Sequence, residues 1–113
     1  MITIMFHLTM KLGREEECTR VIREATKTTT VNDDGCVTYT YLRRADKPRE
    51  LVLFEQWADA YALNAHLARL QRVYGPPDDN EPHPPTHHRR RLPKAFLDLF
   101  ERTTEAVRYE VVE

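Results

Sequence analysis

Glycine and cysteine are scarce in this chain: it has three glycines and two cysteines in 113 residues. Two thiols, Cys18 and Cys36, cannot supply the dense disulfide framework of small secreted domains, and their spacing matches no zinc or redox motif. Reduced, structural thiols in a cytoplasmic protein are the expectation. No run approaches the roughly 18 consecutive apolar residues that a membrane-spanning helix needs. The first residues lack the basic flank and small-residue cleavage site of a signal peptide, so none is expected. An excess of one charge sign is also missing, because 17 basic residues face 18 acidic ones. That balance gives no general attraction to nucleic acid or to an anionic membrane, and neither is expected as a partner.

What the chain does have is periodicity. Residues 2–12 place Ile2, Ile4, Phe6, Leu8, Met10 and Leu12 on one side and Thr3, Met5, His7, Thr9 and Lys11 on the other, which predicts a strand with one apolar face. After Gly13, Cys18, Val21, Ile22 and Ala25 follow helical spacing. Glu15, Glu16 and Glu17 occupy the first turn, where the helix dipole favours them. The β-branched run Thr28-Thr29-Thr30-Val31 predicts fraying over residues 26–30. Asn32 to Gly35 reads as a turn, residues 36–42 as a strand, 43–49 as a hairpin loop and 51–57 as the returning strand. Asp59 can cap a second helix, on which Leu63, His66, Leu67 and Leu70 share one face.

Six of the chain's seven prolines fall in residues 75–93, so an exposed loop without a regular element is predicted there. Pro93 suits the start of a short helix with Phe96, Leu99 and Phe100 inward, and Val107, Tyr109 and Val111 alternate as a closing strand. The order β-α-β-β-α, insert, short α, β is that of a ferredoxin-like split β-α-β domain of the α+β class, with an antiparallel sheet, a single domain spanning 1–113. Apolar residues on both sides of the middle strands predict that the sheet's second face is covered, most economically by a second copy.

Two segments carry a resemblance. Asp34-Gly35-Cys36-Val37-Thr38-Tyr39 looks like a turn-into-strand signature in which Gly-Cys is followed by a tyrosine three residues after the cysteine. Phe54-Glu55-Gln56-Trp57, followed by Ala62-Leu63-Asn64-Ala65-His66, looks like Glu-x-Trp and then Ala-Leu-x-x-His on the next helix. Together they make the chain resemble the antibiotic biosynthesis monooxygenase family over residues 2 to about 70 and again from about Leu92 to Val112. The proline-rich insert is longer than that pattern. The resemblance implies a homodimer whose sheets form an α/β barrel, and a pocket between sheet and helices in each subunit. It also implies quinol monooxygenase-like oxidation of a small aromatic substrate by dioxygen with no cofactor. Haem-degrading relatives are a poorer fit, since Phe6, His7 and His66 stand where asparagine and tryptophan are expected.

Within that frame His66 is the candidate catalytic base. An imidazole titrates near neutrality and can take a phenol proton, making the substrate electron-rich enough to reduce dioxygen. The alternative is a core histidine bonded to Glu55 or a tyrosine. Glu55, a carboxylate in an apolar strand, needs a partner: it orients His66 or holds a group across the subunit interface. Trp57, Tyr61, Tyr39 and Tyr41 could contact a flat substrate, though packing is the simpler expectation for each. His7 could line a pocket or sit at the dimer barrel. His83, His87 and His88 lie on a segment with no fixed geometry for a metal, and a solvated loop is expected, with a basic lid as the alternative. The oxygenase reading requires the ring of His66 to border space that a flat molecule could occupy. A non-catalytic ligand-binding dimer is the rival.

Overall fold

β1 (Ile2–Met10) lies in the middle of the sheet, and its inward residues Ile4, Phe6, Leu8 and Met10 are all buried. In this computed structural model, residues 1–84, 87–103 and 106–113 are described. The strand stops short of the predicted residue 12. Its pairing shifts register between Thr9 and Met10, and Leu12 is exposed.

α1 (Glu15–Asn32) buries Cys18, Ile22, Ala25 and Thr29. The predicted fraying at residues 26–30 does not occur. The hydroxyls of Thr26, Thr28 and Thr30 donate to the carbonyls of Ile22, Glu24 and Thr26 at 2.7, 3.0 and 3.0 Å. Bonding back to the preceding turn satisfies side chains that would otherwise compete with the helix. Thr29 is fully buried and accepts from Arg69 Nη2 at 3.1 Å. Tertiary packing overrides the low propensity of this run.

β2 (Cys36–Arg43) and β3 (Glu50–Trp57) form the hairpin, and α2 (Ala60–Tyr74) follows. Asp59 caps α2 by accepting from the Ala62 N–H at 2.8 Å. The short α3 (Lys94–Leu97) leads into β4 (Phe100–Thr103), an unpredicted strand that takes Phe100 out of the helix to which it was assigned. β5 (Val107–Tyr109) closes the chain and leaves Val111 outside it. The sheet order is β2-β3-β1-β4, antiparallel throughout, with β5 pairing the Thr3–Met5 stretch of β1 and β4 the Leu8–Met10 stretch. Two short strands thus share one edge. This is the predicted ferredoxin-like α+β arrangement.

The core fills the space between the sheet face of Phe6, Leu53 and Trp57 and the helix residues Ile22, Leu63, Leu67 and Leu70. By alternation, the other face carries Met5, His7, Leu42, Val52 and Phe54, joined by Val107 and Tyr109 through their pairing with β1. Leu42, Val107 and Tyr109 are exposed.

The 75–93 segment departs from the solvated loop expected. Pro77 bridges Pro93, the Lys94 N–H donates to the Pro76 carbonyl at 2.9 Å, and His88–Arg91 forms a 3-10 turn. Glu81 is buried, accepting from Arg89 Nε at 3.0 Å and pairing with His83, while its carbonyl accepts from Arg90. Charged residues that read as solvated satisfy one another around Glu81, and Leu92 and Pro93 can then be buried. Pro85, which belongs to the predicted loop, lies outside the described residues.

Candidate functional site

The apolar stripe of α2 turns His66 toward the sheet, where it is 2% exposed. Its ring lies over Trp57 with centroids 4.5 Å apart, and Tyr39 meets it edge-on at 5.3 Å. His66 Nδ1 is 2.6 Å from Asp33 Oδ2, and Arg69 donates to the same carboxylate through Nε (2.5 Å, to Oδ1) and Nη2 (2.9 Å, to Oδ2). The partner of His66 is therefore Asp33, at the end of α1, and neither Glu55 nor a tyrosine.

Gly35 makes that meeting possible. Its φ is +81°, and a Cβ there would stand 2.6 Å from the Ala62 Cβ. Only glycine lets the turn approach α2 this closely while holding a left-handed backbone. Burial acts to raise the Asp33 carboxyl, but hydrogen bonds from Arg69 and His66 outweigh it and hold the group below the usual carboxylate range. Burial lowers the His66 imidazole more than Asp33 raises it. A neutral ring beside an ionised carboxylate carries its proton on Nδ1, which donates to Asp33 and leaves Nε2 with a basic lone pair.

Glu55 is 1% exposed and faces the same interior. Its Oε1 accepts from Trp57 Nε1 at 2.9 Å. Oε2 has no hydrogen-bond partner among the described residues, and His88 Nε2 stands 3.6 Å from it. Burial pushes the Glu55 carboxyl up to about 7, against the opposing hydrogen bond from Trp57. Burial likewise drives His88 down to about 3, so that ring is neutral near pH 7. A buried carboxyl balanced between its two protonation states, with one oxygen unsatisfied, is the kind of group found where function rather than stability sets the chemistry.

Of the residues singled out from the sequence, His66, Trp57, Tyr39 and Glu55 come together. Tyr61 does not: it is 84% exposed on the outer side of α2, so it is neither core nor beside the imidazole. His7 lies on the opposite sheet face, where it lines a pocket of 270 Å³ with Thr9, Arg44 and Glu50. Asp33 and Arg69 were missed, and His88, expected on a solvated loop or a basic lid, was not tied to Glu55. Asp33 reads as a turn residue, but Arg69 had a visible signal, one turn beyond His66 on the same helix. His88 was hidden in the basic run of the insert.

Five of the chain's pockets enclose 270 to 900 Å³, and His66, Trp57, Glu55 and Tyr39 line none of these five. All four are at most 5% exposed, so the cluster is closed to solvent in this conformation. None of these five pockets supplies the space beside the His66 ring that the oxygenase reading requires. Two pockets reach its margins. Asp33 and Arg69 border one of 410 Å³, and His88 and Ile4 border another of 390 Å³.

Comparison with known proteins agrees with this architecture. A structure described as antibiotic biosynthesis monooxygenase is 20% identical over the full length of both chains, with a TM-score of 0.70. Proteins given the same family name from Deinococcus radiodurans and Nitrosomonas europaea are 16% and 17% identical, each with a TM-score of 0.69. The alignments cover all of this chain, with 94% of the first and 100% of the second. At such identities the likeness is one of fold. No curated protein matches the sequence. The family model for antibiotic biosynthesis monooxygenase matches residues 1–72, which contain Asp33, Gly35, Glu55, Trp57, His66 and Arg69, and the chain belongs to that family.

Proposed function

We propose that the protein is a cofactor-independent monooxygenase that converts a phenolic or quinol substrate to a quinone with dioxygen, and that His66 is its proton acceptor. The observation that carries this reading is the Asp33–His66 pair, fixed at 2.6 Å inside an aromatic-walled interior. The carboxylate holds the imidazole in one tautomer and steadies the cation formed when Nε2 takes the phenol proton. The phenolate passes one electron to dioxygen, and the two radicals recombine at a ring carbon. Collapse of the peroxide then leaves one oxygen atom as a carbonyl and releases the other as water. Both hydrogens of that water come from the substrate, one from the hydroxyl and one from the ring carbon. Excluding bulk solvent protects the radical pair, and the burial around Trp57 and Glu55 suits that task.

Because the cluster is sealed, substrate entry requires a local opening. His88 is the natural gate, since it faces Glu55 on one side and the 390 Å³ pocket on the other. The reading includes a homodimer in which the open sheet face around Val52 and Phe54 packs on its counterpart, forming the expected α/β barrel. Among the described residues, no helix is long and apolar enough to cross a membrane.

The test is oxygen uptake and quinone formation by metal-stripped protein across a panel of hydroquinones and polycyclic phenols. Turnover with one oxygen atom incorporated supports the proposal. The closed packing around His66 favours a second reading, a non-catalytic binding dimer. Absence of uptake with every substrate, alongside measurable ligand binding, would establish that alternative.

A further inference from the structure

The pocket of 390 Å³ beside the insert is lined by Ile4, His87, His88, Arg91, Ala106, Val107 and Arg108. Among the described residues its polar wall is cationic or imidazole, and its remaining wall is apolar. Among the described residues neither Arg91 nor Arg108 is ion-paired to a carboxylate. Arg91 Nη2 instead donates to the neutral Asn64 Oδ1 at 2.7 Å, and its own carbonyl accepts from Gln71 Nε2 at 2.7 Å. These two bonds fix Arg91 at the pocket without neutralising it. Burial and the nearby Arg108 both lower the Arg91 guanidinium. Two like charges lining one cavity repel each other, and an anion between them relieves that repulsion. The volume falls within the usual range for small-molecule clefts.

We propose that this pocket binds a small molecule bearing a carboxylate on a compact apolar body, with the carboxylate between Arg91 and Arg108 and the apolar part against Ile4 and Ala106. The guanidinium fork matches carboxylate geometry, and an ion without an apolar body would forgo the second wall. The proposal concerns binding alone and stands whether or not the protein is an oxygenase.

Calorimetric or NMR titration with benzoate, its neutral isostere benzamide and inorganic phosphate tests it. Benzoate should bind with an affinity that falls as salt is raised, and benzamide should bind roughly tenfold more weakly or worse, as loss of a charge-assisted contact dictates. Phosphate should bind more weakly than benzoate. Arg108 is exposed, so Arg108→Gln should fold normally and lose roughly tenfold in benzoate affinity; Arg91→Gln should do the same. The proposal is overturned if benzoate does not bind, if benzamide or phosphate binds equally well, or if Arg108→Gln leaves affinity unchanged.

Discussion

Asp33 Oδ2 stands 2.6 Å from His66 Nδ1, joining the end of α1 to the middle of α2 across a turn that Gly35 alone allows to come so close. Arg69 closes the triangle from the next turn of α2. Family signature, local backbone and site chemistry therefore meet in one contact.

Replacing Asp33 by asparagine keeps the size and removes the charge. Arg69 would lose its ionic partner and His66 its acceptor of full charge, so the fold should be destabilised by about 2–3 kcal/mol, the cost of breaking hydrogen bonds to charged groups. Urea denaturation of Asp33→Asn beside the wild type measures this. A change below about 0.5 kcal/mol, the ordinary surface range, would mean that the contact contributes little.

Glu55 makes a prediction about pH. Its carboxyl is raised from an ordinary 4.5 to about 7, so between those values the unfolded chain gives up the proton while the folded one keeps it. Stability contributed by this group must then fall as pH rises through that window and level off above it. The difference amounts to about 3 kcal/mol at most. Denaturation midpoints of wild type and Glu55→Gln, compared from about pH 5 to about pH 8, should converge on the acid side and diverge on the alkaline side, with the variant the more stable at high pH. Parallel curves would show that Glu55 is not so perturbed.

Gly35→Ala should be costly for two reasons. It forces a Cβ into left-handed backbone and sets that carbon 2.6 Å from the Ala62 Cβ. The combined loss should be about 2–4 kcal/mol, read by chemical denaturation. A neutral substitution would show that the turn does not pack against α2 as described.

The uncovered sheet face can be tested through association. Phe54→Glu places a charge among Met5, Val52 and Val107 on that face. Sedimentation should find a wild-type dimer and a monomeric variant. If the variant dimerises as tightly as the wild type, the interface lies elsewhere.

Much of this architecture was legible because periodicity reports burial directly. The alternation of β1 and the α2 stripe through His66 both follow from which residues must leave water. The threonine run of α1 was misread because propensity says nothing of hydroxyls that bond back to the preceding turn. The insert was misread because Glu81 looks like any surface acid until Arg89 and Arg90 fold over it. Asp33 was hidden for a related reason: a turn residue and a site residue look alike in sequence when contact depends on a helix that begins 27 positions later.

The most direct test of the central claim compares oxygen uptake with a turned-over hydroquinone by metal-stripped wild type and His66→Ala, each checked for folding by circular dichroism. If His66 takes the phenol proton, kcat should fall by about 10²–10⁴-fold, the usual contribution of a positioned base, and the loss should lessen as pH rises and the substrate ionises unaided. Equal rates in the two proteins would contradict the account and leave His66 a packing residue.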